Sequence, residues 1–146
     1  MMIAIGSDHG GFKLKEKLKE VYANLEFKDF GTFSEDSMDF PDVGIPLAES
    51  VACGECEKGI LICRTGVGMS IVANKVPGVR CALCYSETSS RLAKQHNDVN
   101  VIAIGADELE FDKIQKIIDA WLDSEFLGGK YAVRVEKIRK YEESKR

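Results

Sequence analysis

Cys63 has the setting that most favours chemistry in this chain. It ends a short apolar run, and a loop with glycines at positions 66 and 68 follows it and opens into a helical pattern. The first amides of a helix have no partner within the helix, so they attract negative charge, and they stabilise a thiolate placed next to them. A thiolate is the form of cysteine that acts as a base or nucleophile. The alternative is that Cys63 simply ends a core strand, because free cysteine is among the most buried residue types.

The only two histidines are the next candidates. His9 follows Asp8 after the first apolar run, and His96 precedes Asn97 shortly before the last one. Imidazole changes its charge near neutral pH and serves as an acid, a base or an anion ligand. A histidine in a polar loop is often without function, but the presence of Cys63 strengthens the hypothesis of a shared site. Two separated histidines do not make a recognisable metal site, so we predict no metal.

Two cations stand near the C-terminus. Lys130 and Arg134 are four residues apart, on one face of a helix predicted to begin after Gly128 and Gly129. Two aligned cations near a helix N-terminus can hold a phosphate. The alternative is a solvated basic face.

Short apolar runs alternate with helical patterns along the whole chain. The strands are predicted at 2–6, 27–31, 59–63, 79–84 and 100–105, and the helices at about 11–23, 43–56, 68–75, 86–96, 111–125 and 131–145. This alternation predicts an α/β fold: a three-layer α/β/α sandwich, Rossmann-like or flavodoxin-like, with a five-stranded parallel sheet and an extra C-terminal helix. Ligands of such sheets bind beyond the carboxyl ends of the strands. We therefore expect Asp8, His9, Cys63, Thr65 and the segment around His96 to converge on one crevice.

Composition limits the class of protein. With 146 residues we expect a single domain, 1–146, that needs no disulfide or metal to fold. A formal net charge of −4 argues against a general nucleic-acid or membrane surface, but leaves small anions as partners. No signal sequence and no apolar run of the ~20 residues that span a bilayer are evident, and five cysteines are an odd number. We predict reduced thiols and a cytoplasmic location.

Three other motifs suggest functions with weaker support from the sequence. The pairs Cys53/Cys56 and Cys81/Cys84 suggest a zinc ribbon, but the second pair falls in a predicted strand, where residues three apart face opposite ways. A phosphotyrosine phosphatase loop requires an arginine at the position of Met69. The glycines of this loop lack the third glycine of a dinucleotide fingerprint.

Several motifs in order resemble ribose-5-phosphate isomerase of the B type, whose family includes the galactose-6-phosphate and allose-6-phosphate isomerases. The resemblance runs nearly end to end. It rests on IGSDHGGFKLK (5–15), DFP (39–41), ILICRTGVGMSIVANKVPGVR (60–80), QHNDVNVIAIG (95–105) and GGKYAVRVEKI (128–138).

The resemblance implies a reaction: the interconversion of D-ribose 5-phosphate and D-ribulose 5-phosphate through a cis-enediolate, as in the non-oxidative branch of the pentose phosphate pathway. It implies no metal and no cofactor. By resemblance, Cys63 is the base that moves a proton between C1 and C2, Thr65 helps to transfer protons among the oxygens, and His96 with Asp8 opens the furanose ring. The anion hole for the enediolate is formed by the amides of Gly66, Val67, Gly68, Met69 and Ser70.

The resemblance also assigns the substrate-binding groups and the assembly. His9, Arg134 and Lys130 grip the 5-phosphate, and Asn97 touches the sugar hydroxyls. The family's site lies at a subunit interface, so a homodimer or homotetramer is implied, without nucleic-acid or membrane partners.

Three positions depart from the family pattern. Arg64 replaces the glycine usual after the cysteine, Phe40 replaces a common tyrosine, and Lys130–Tyr131 replaces an arginine–histidine pair. Lysine lacks the bidentate fork of arginine, so Arg64 is a candidate for part of the phosphate binding. These departures leave allose 6-phosphate or galactose 6-phosphate open as substrates. A non-catalytic sugar-phosphate-binding module is the alternative outside enzymes.

Overall fold

A computed structural model describes residues 1–146. Its sheet has five parallel strands in the order β2-β1-β3-β5-β4. The strands are β1 (Met2–Ser7), β2 (Glu26–Asp29), β3 (Lys58–Cys63), β4 (Cys81–Leu83) and β5 (Val101–Gly105). The helices are α1 (Phe12–Val21), α2 (Pro41–Ala52), α3 (Val67–Ala73), α4 (Glu87–Asn97), α5 (Phe111–Leu122) and α6 (Lys130–Glu143). The predicted three-layer α/β fold with an extra C-terminal helix is confirmed.

Two apolar clusters cover the two faces of the sheet. On one face, Ile62 and Ile104 pack with Trp121 of α5, in a cluster that also holds residues of α1 and α4. On the other face, Leu61 and Cys63 pack with residues of α2 and α3. Successive residues of a strand point to opposite faces of the sheet. Because both faces are buried at the central strands, apolar residues follow one another there instead of alternating with polar ones.

Strand register aligns the ends of the central strands. Ser7 of β1 lies opposite Ile62, and Cys63 lies opposite Gly105 of β5. A flavodoxin-like sheet has the order 2-1-3-4-5, whereas here β5 lies between β3 and β4. The loops that follow β1, β3 and β5 are therefore neighbours at the carboxyl edge of the sheet.

The helix boundaries follow local chemistry. Helix α2 begins at Pro41, where the missing N–H of proline removes no helical hydrogen bond. It ends at Ala52, earlier than predicted, and Gly54 in the following turn has a φ of +83°. No residue of α6 is buried, and Val133, Ile138 and Tyr141 are exposed on it. No helix combines the length and apolar character needed to cross a membrane.

Candidate active site

The thiol of Cys63 lies at the carboxyl end of the central strand β3. Its residue is only 6 % exposed and its side chain points to the sheet face covered by α2 and α3. The N–H of Gly66 donates a hydrogen bond to its Sγ at 3.2 Å. Such a donor stabilises negative charge on sulfur, so the turn itself supplies the partner that a thiolate base requires.

The turn between β3 and α3 depends on Gly66. Its φ of +79° lies in the left-handed region, and a Cβ there would lie 2.6 Å from the Leu83 side chain. The hydroxyl Oγ1 of Thr65 accepts a hydrogen bond from the Val67 N–H at 3.2 Å, which fixes the entry to the helix. Any side chain larger than hydrogen would displace this turn and, with it, the donor to Cys63.

The turn leaves only some of its amides free. The Ser70 N–H donates to the Gly66 carbonyl at 3.0 Å, and the Gly66 and Val67 amides are occupied by the side chains just described. The N–H groups of Gly68 and Met69 have no protein partner. Of the five residues predicted to form an anion hole, these two therefore offer free donors. A Cβ on Gly68 would lie 2.9 Å from Cζ of Phe40, so that ring packs directly over the start of α3.

Asp8 and His9 stand beside Cys63 on the neighbouring strand end. The Asp8 N–H donates to the Ile62 carbonyl at 3.1 Å, and its Oδ1 accepts from the Gly11 N–H at 3.1 Å. The Nδ1 atom of His9 accepts from the Met38 N–H at 3.2 Å. In its neutral form His9 must then carry its proton on Nε2, so Nε2 is a donor suited to an anion.

A buried ion pair anchors the loop that contains Met38. The side chain of Lys15 is fully buried, and its Nζ lies 2.6 Å from Oδ2 of Asp29. The other oxygen of Asp29 accepts from the Gly31 N–H at 2.8 Å, and the Gly31 carbonyl accepts from the Ser7 N–H at 2.7 Å. Burial acts to raise the pKa of Asp29, but the hydrogen bonds of its two lysines and the Gly31 amide outweigh it, so the pKa lies below its ordinary value. Sequence reasoning missed this network, because its links to the site are backbone groups.

A second group of predicted residues meets near the start of β5. His96 of α4 stacks on Tyr131 of α6, with ring centroids 4.1 Å apart and planes within 7° of parallel. Lys130 and Arg134 lie beside the same ring, with their charged groups 5.3 Å and 5.7 Å from its centroid. Asn97, the last residue of α4, is exposed. A histidine and two cations thus lie together, as an anion site requires.

The end of α4 is fixed by Asp98. Its φ of +47° is left-handed, a conformation that ends a helix and that aspartate tolerates better than most residues. Lys94 pairs with its carboxylate at 2.6 Å, and Arg80 donates to its carbonyl at 2.7 Å. These contacts hold the position of His96.

The two groups do not meet within one chain, so the expected single crevice is wrong for the isolated chain. Helices of a parallel α/β sheet run back along the strands, so the end of α4 lies where β5 begins. Cys63 lies opposite Gly105, where β5 ends. Four residue steps of β5 separate the two edges by about 13 Å. Because His96 precedes β5 in the sequence, its place at the amino end of that strand could have been predicted from the sequence.

Comparison with known proteins agrees with the fold and the motifs. The family described as Ribose/Galactose Isomerase matches residues 3–138. The chain belongs to this family. As a member of the ribose/galactose isomerase family, it is a sugar-phosphate isomerase with a small-molecule substrate.

Solved structures and relatives of this family cover the whole chain. A ribose-5-phosphate isomerase B from Clostridium thermocellum superposes with a TM-score of 0.97 at 45 % identity, covering 100 % of both chains. Ribose-5-phosphate isomerase B of Escherichia coli is 43 % identical over 97 % of this chain and 96 % of its own. D-erythrulose-4-phosphate isomerase of Pectobacterium atrosepticum is 40 % identical over 97 % of this chain and 95 % of its own.

Two cavities of this ribose/galactose isomerase family member differ in how well their lining residues suit a sugar phosphate. A pocket of about 400 Å³ opens beside Thr65, between Val67 and Tyr85. A second cavity, about 850 Å³, is lined by five acidic residues, which include Asp107 and Glu108, and by only two lysines, Lys113 and Lys116. The excess of carboxylates would repel a sugar phosphate, so the volume of this cavity does not make it the substrate site.

The remaining cysteines differ from Cys63 in their surroundings. Cys81 packs against the α2–α3 face of the sheet and Cys84 belongs to the opposite cluster, as the strand pattern predicted. Burial raises the pKa of Cys84 to about 11 and also raises that of Cys81. Both stay protonated at neutral pH, so neither is a ready base.

Proposed function

We propose that this isomerase interconverts D-ribose 5-phosphate and D-ribulose 5-phosphate, with Cys63 as the base. The observation that carries the proposal is the buried thiol that accepts the Gly66 N–H at the carboxyl end of β3. The names of relatives from Clostridium thermocellum and Escherichia coli support the pentose substrate.

In the proposed reaction, the Cys63 thiolate removes the proton from C2 of the open-chain aldose. The electron pair of that C–H bond forms the C1–C2 double bond, and the carbonyl oxygen on C1 takes up negative charge. The free N–H groups of Gly68 and Met69 stabilise this cis-enediolate. The thiol then returns its proton to C1, and the O2 proton passes to the oxyanion on C1 with the help of Thr65. The electron pair of the O2–H bond forms the carbonyl at C2, the C1–C2 double-bond pair takes up the proton on C1, and the thiolate is regenerated. No cofactor takes part in these steps.

Ring opening and binding use the other groups. Asp8 has one carboxylate oxygen committed to the Gly11 amide, which leaves the second available for a proton of the sugar. We assign ring opening to Asp8 and His96, contact with the sugar hydroxyls to Asn97, and the 5-phosphate to His9, Lys130 and Arg134. A phosphate held at a fixed place orients the reacting end without touching it.

We further propose that each complete site is shared between two copies of the chain. Cys63 and His96 lie at opposite edges of one sheet, yet the reaction needs both on one sugar. Helix α6 has no buried residue and carries three exposed apolar side chains, as a helix that packs on a second copy would. A homodimer, alone or within a tetramer, brings the His96 group of one copy to the Cys63 group of the other.

The test is conversion of ribose 5-phosphate by the wild type and by Cys63→Ala, with EDTA present throughout. We expect turnover that survives EDTA and is lost in the variant. Cys53→Ala is the matched control, because Cys53 is an exposed thiol outside the site. Absence of turnover in folded wild type refutes the ribose assignment.

The substrate panel then decides among sugars. Erythrulose 4-phosphate is included because of the relative from Pectobacterium atrosepticum, and allose 6-phosphate and galactose 6-phosphate because of the family. Differences of one hydroxymethylene group change binding by about 1–3 kcal/mol, so the ratio of kcat/KM values across the panel identifies the substrate. Binding without turnover for every sugar would support a binding module instead.

A further inference from the structure

Arg64 crosses the site next to the Asp8–His9 pair. Its Cγ atom lies 2.6 Å, and its Nε 3.2 Å, from the point where a Cβ on Gly10 would stand. Oδ1 of Asp8 lies 3.3 Å from the same point. The arginine stem therefore passes over Gly10, and its guanidinium extends to Asp107.

Asp107 holds this arginine in place. Nη1 of Arg64 lies 3.2 Å from Oδ2 of Asp107, and the Asp107 N–H donates to the Arg64 carbonyl at 3.0 Å. The loops after β3 and β5 are thus joined twice by the same two residues. The other N–H groups of the guanidinium have no protein partner, and the side chain is 63 % exposed. Arg64 is oriented but still has donors to offer.

The charges around Arg64 indicate what those donors bind. Oδ1 of Asp8 lies close to Gly10, over which the Arg64 stem passes, and the Asp107 carboxylate pairs with its guanidinium; without a cation these two carboxylates would repel a phosphate. His9, the neighbour of Gly10, presents Nε2–H because its Nδ1 accepts the Met38 amide. A guanidinium whose stem passes over Gly10 and an imidazole donor on the preceding residue offer groups that match the oxygens of a phosphate.

We propose that Arg64 is a phosphate-binding residue that acts with His9 on the terminal phosphate of the substrate. The proposal deepens the function proposed above and rests on it for the identity of the sugar. In this chain Lys130 stands where the family resemblance expects an arginine, and Arg64 restores a bidentate fork to the site. Arg64 binds substrate and has no part in the proton transfers.

The first experiment measures binding alone. Inorganic phosphate is titrated calorimetrically into the wild type, Arg64→Gln, Arg64→Lys and Arg146→Gln, the last removing the same charge from the final residue of the chain. We expect the Kd to rise about tenfold in Arg64→Gln, as for loss of a charge-assisted hydrogen bond, about threefold in Arg64→Lys, and less than twofold in the control. A Kd in Arg64→Gln within twofold of the wild type overturns the proposal, as does a wild type that binds no phosphate.

A second variant moves the arginine without removing it. In Gly10→Ala the new methyl group occupies the place of the Arg64 stem, so we expect phosphate binding to weaken as in Arg64→Gln. The double variant should then be no weaker than either single variant, because both act through one side chain. Additive effects would contradict the proposal. Melting temperatures of the variants show whether Gly10→Ala has kept the fold.

Steady-state kinetics on ribose 5-phosphate distinguish a failure of the Arg64 phosphate site from a failure of the proposed isomerase activity. If ribose 5-phosphate is turned over, Arg64→Gln should raise its KM about tenfold and leave kcat within about twofold, since the phosphate contact is the same in ground and transition states. A loss confined to kcat overturns the proposal. If the wild type turns over no sugar but phosphate binding still depends on Arg64, the proposed function fails and the phosphate site stands.

Discussion

Two inactive variants of this isomerase should restore activity to each other when they share a dimer. In one variant Cys63→Ala removes the proposed base at the carboxyl edge of the sheet, and in the other His96→Ala removes the imidazole at the opposite edge. The strand between them separates these edges by about 13 Å, which is too far for both side chains to reach one C1–C2 unit. In the proposed dimer, each site then takes its thiol from one copy and its imidazole from the other.

The magnitude follows from counting sites. In a heterodimer of the two variants, one site has lost both groups and the other site has kept both. A pure heterodimer should therefore show about half the wild-type activity, and a random mixture of subunits about a quarter, because half of its dimers are mixed. Each variant alone should fall far below these values, since each lacks a group in every site.

The assay uses co-expression of the two variants with different tags, followed by purification on both. Activity is measured on the best sugar phosphate found for the wild type. A matched control pairs Cys63→Ala with Thr65→Ala, which change the same half of the site, so every site in that heterodimer is damaged and no recovery is expected. Heterodimers of Cys63→Ala and His96→Ala that show no recovery would refute the shared site.

Three further predictions address the parts that build the site. Gly66→Ala should lower both the free energy of unfolding, measured in urea, and kcat, measured in steady-state kinetics, because the left-handed backbone strain alone amounts to about 1–2 kcal/mol. An unchanged kcat would contradict the role of this turn. Asp29→Asn should lower the free energy of unfolding at pH 7 by about 2 kcal/mol, because the buried Lys15 loses one of its two carboxylate partners and keeps only Glu16. Because folding lowers the pKa of Asp29, the wild type but not the variant should lose this contribution below about pH 4, and parallel pH curves would refute the prediction. Phe40→Tyr adds a hydroxyl to the ring atom that faces Gly68, next to the proposed enediolate site, so it should lower KM about fivefold at unchanged kcat by a hydrogen bond to the sugar. An unchanged KM would place that ring outside the sugar site.

The elements of the fold were predictable because each has a local cause. The three central strands β1, β3 and β5 are buried on both faces and give nearly continuous apolar runs, while the partly buried edge strands β2 and β4 were predicted from shorter apolar stretches. The position of β5 between β3 and β4 was not predictable, because strand order depends on which connections pack best over the whole sheet. A flavodoxin-like order would separate Cys63 from Gly105, whereas the observed order places them side by side.

The candidate site was predictable to the extent that side chains define it. Cys63, Asp8 and His9 were found because their residue types are informative in a loop after a strand. The Met38 amide that sets the proton position on His9 left no signal, since every residue has an N–H. Lys15 resembles any exposed helix lysine in the sequence, and only the fold shows that it is fully buried.

The proposed catalytic residues are buried, whereas the proposed phosphate-binding residues are exposed, and this difference limits which substitutions can change the choice of substrate. The proposed base Cys63 and the amide that donates to it are positioned by the left-handed Gly66 and by buried contacts, so substitutions there should disturb the fold as well as the reaction. The proposed phosphate-binding residues Lys130 and Arg134 lie on the exposed helix α6, and Arg64 lies on an exposed loop, where the fold tolerates substitutions. The departures from the family pattern at Arg64 and Lys130–Tyr131 fall in this second set. Differences in sugar preference among such isomerases should therefore appear first in KM, with kcat retained as long as the Cys63 turn is intact.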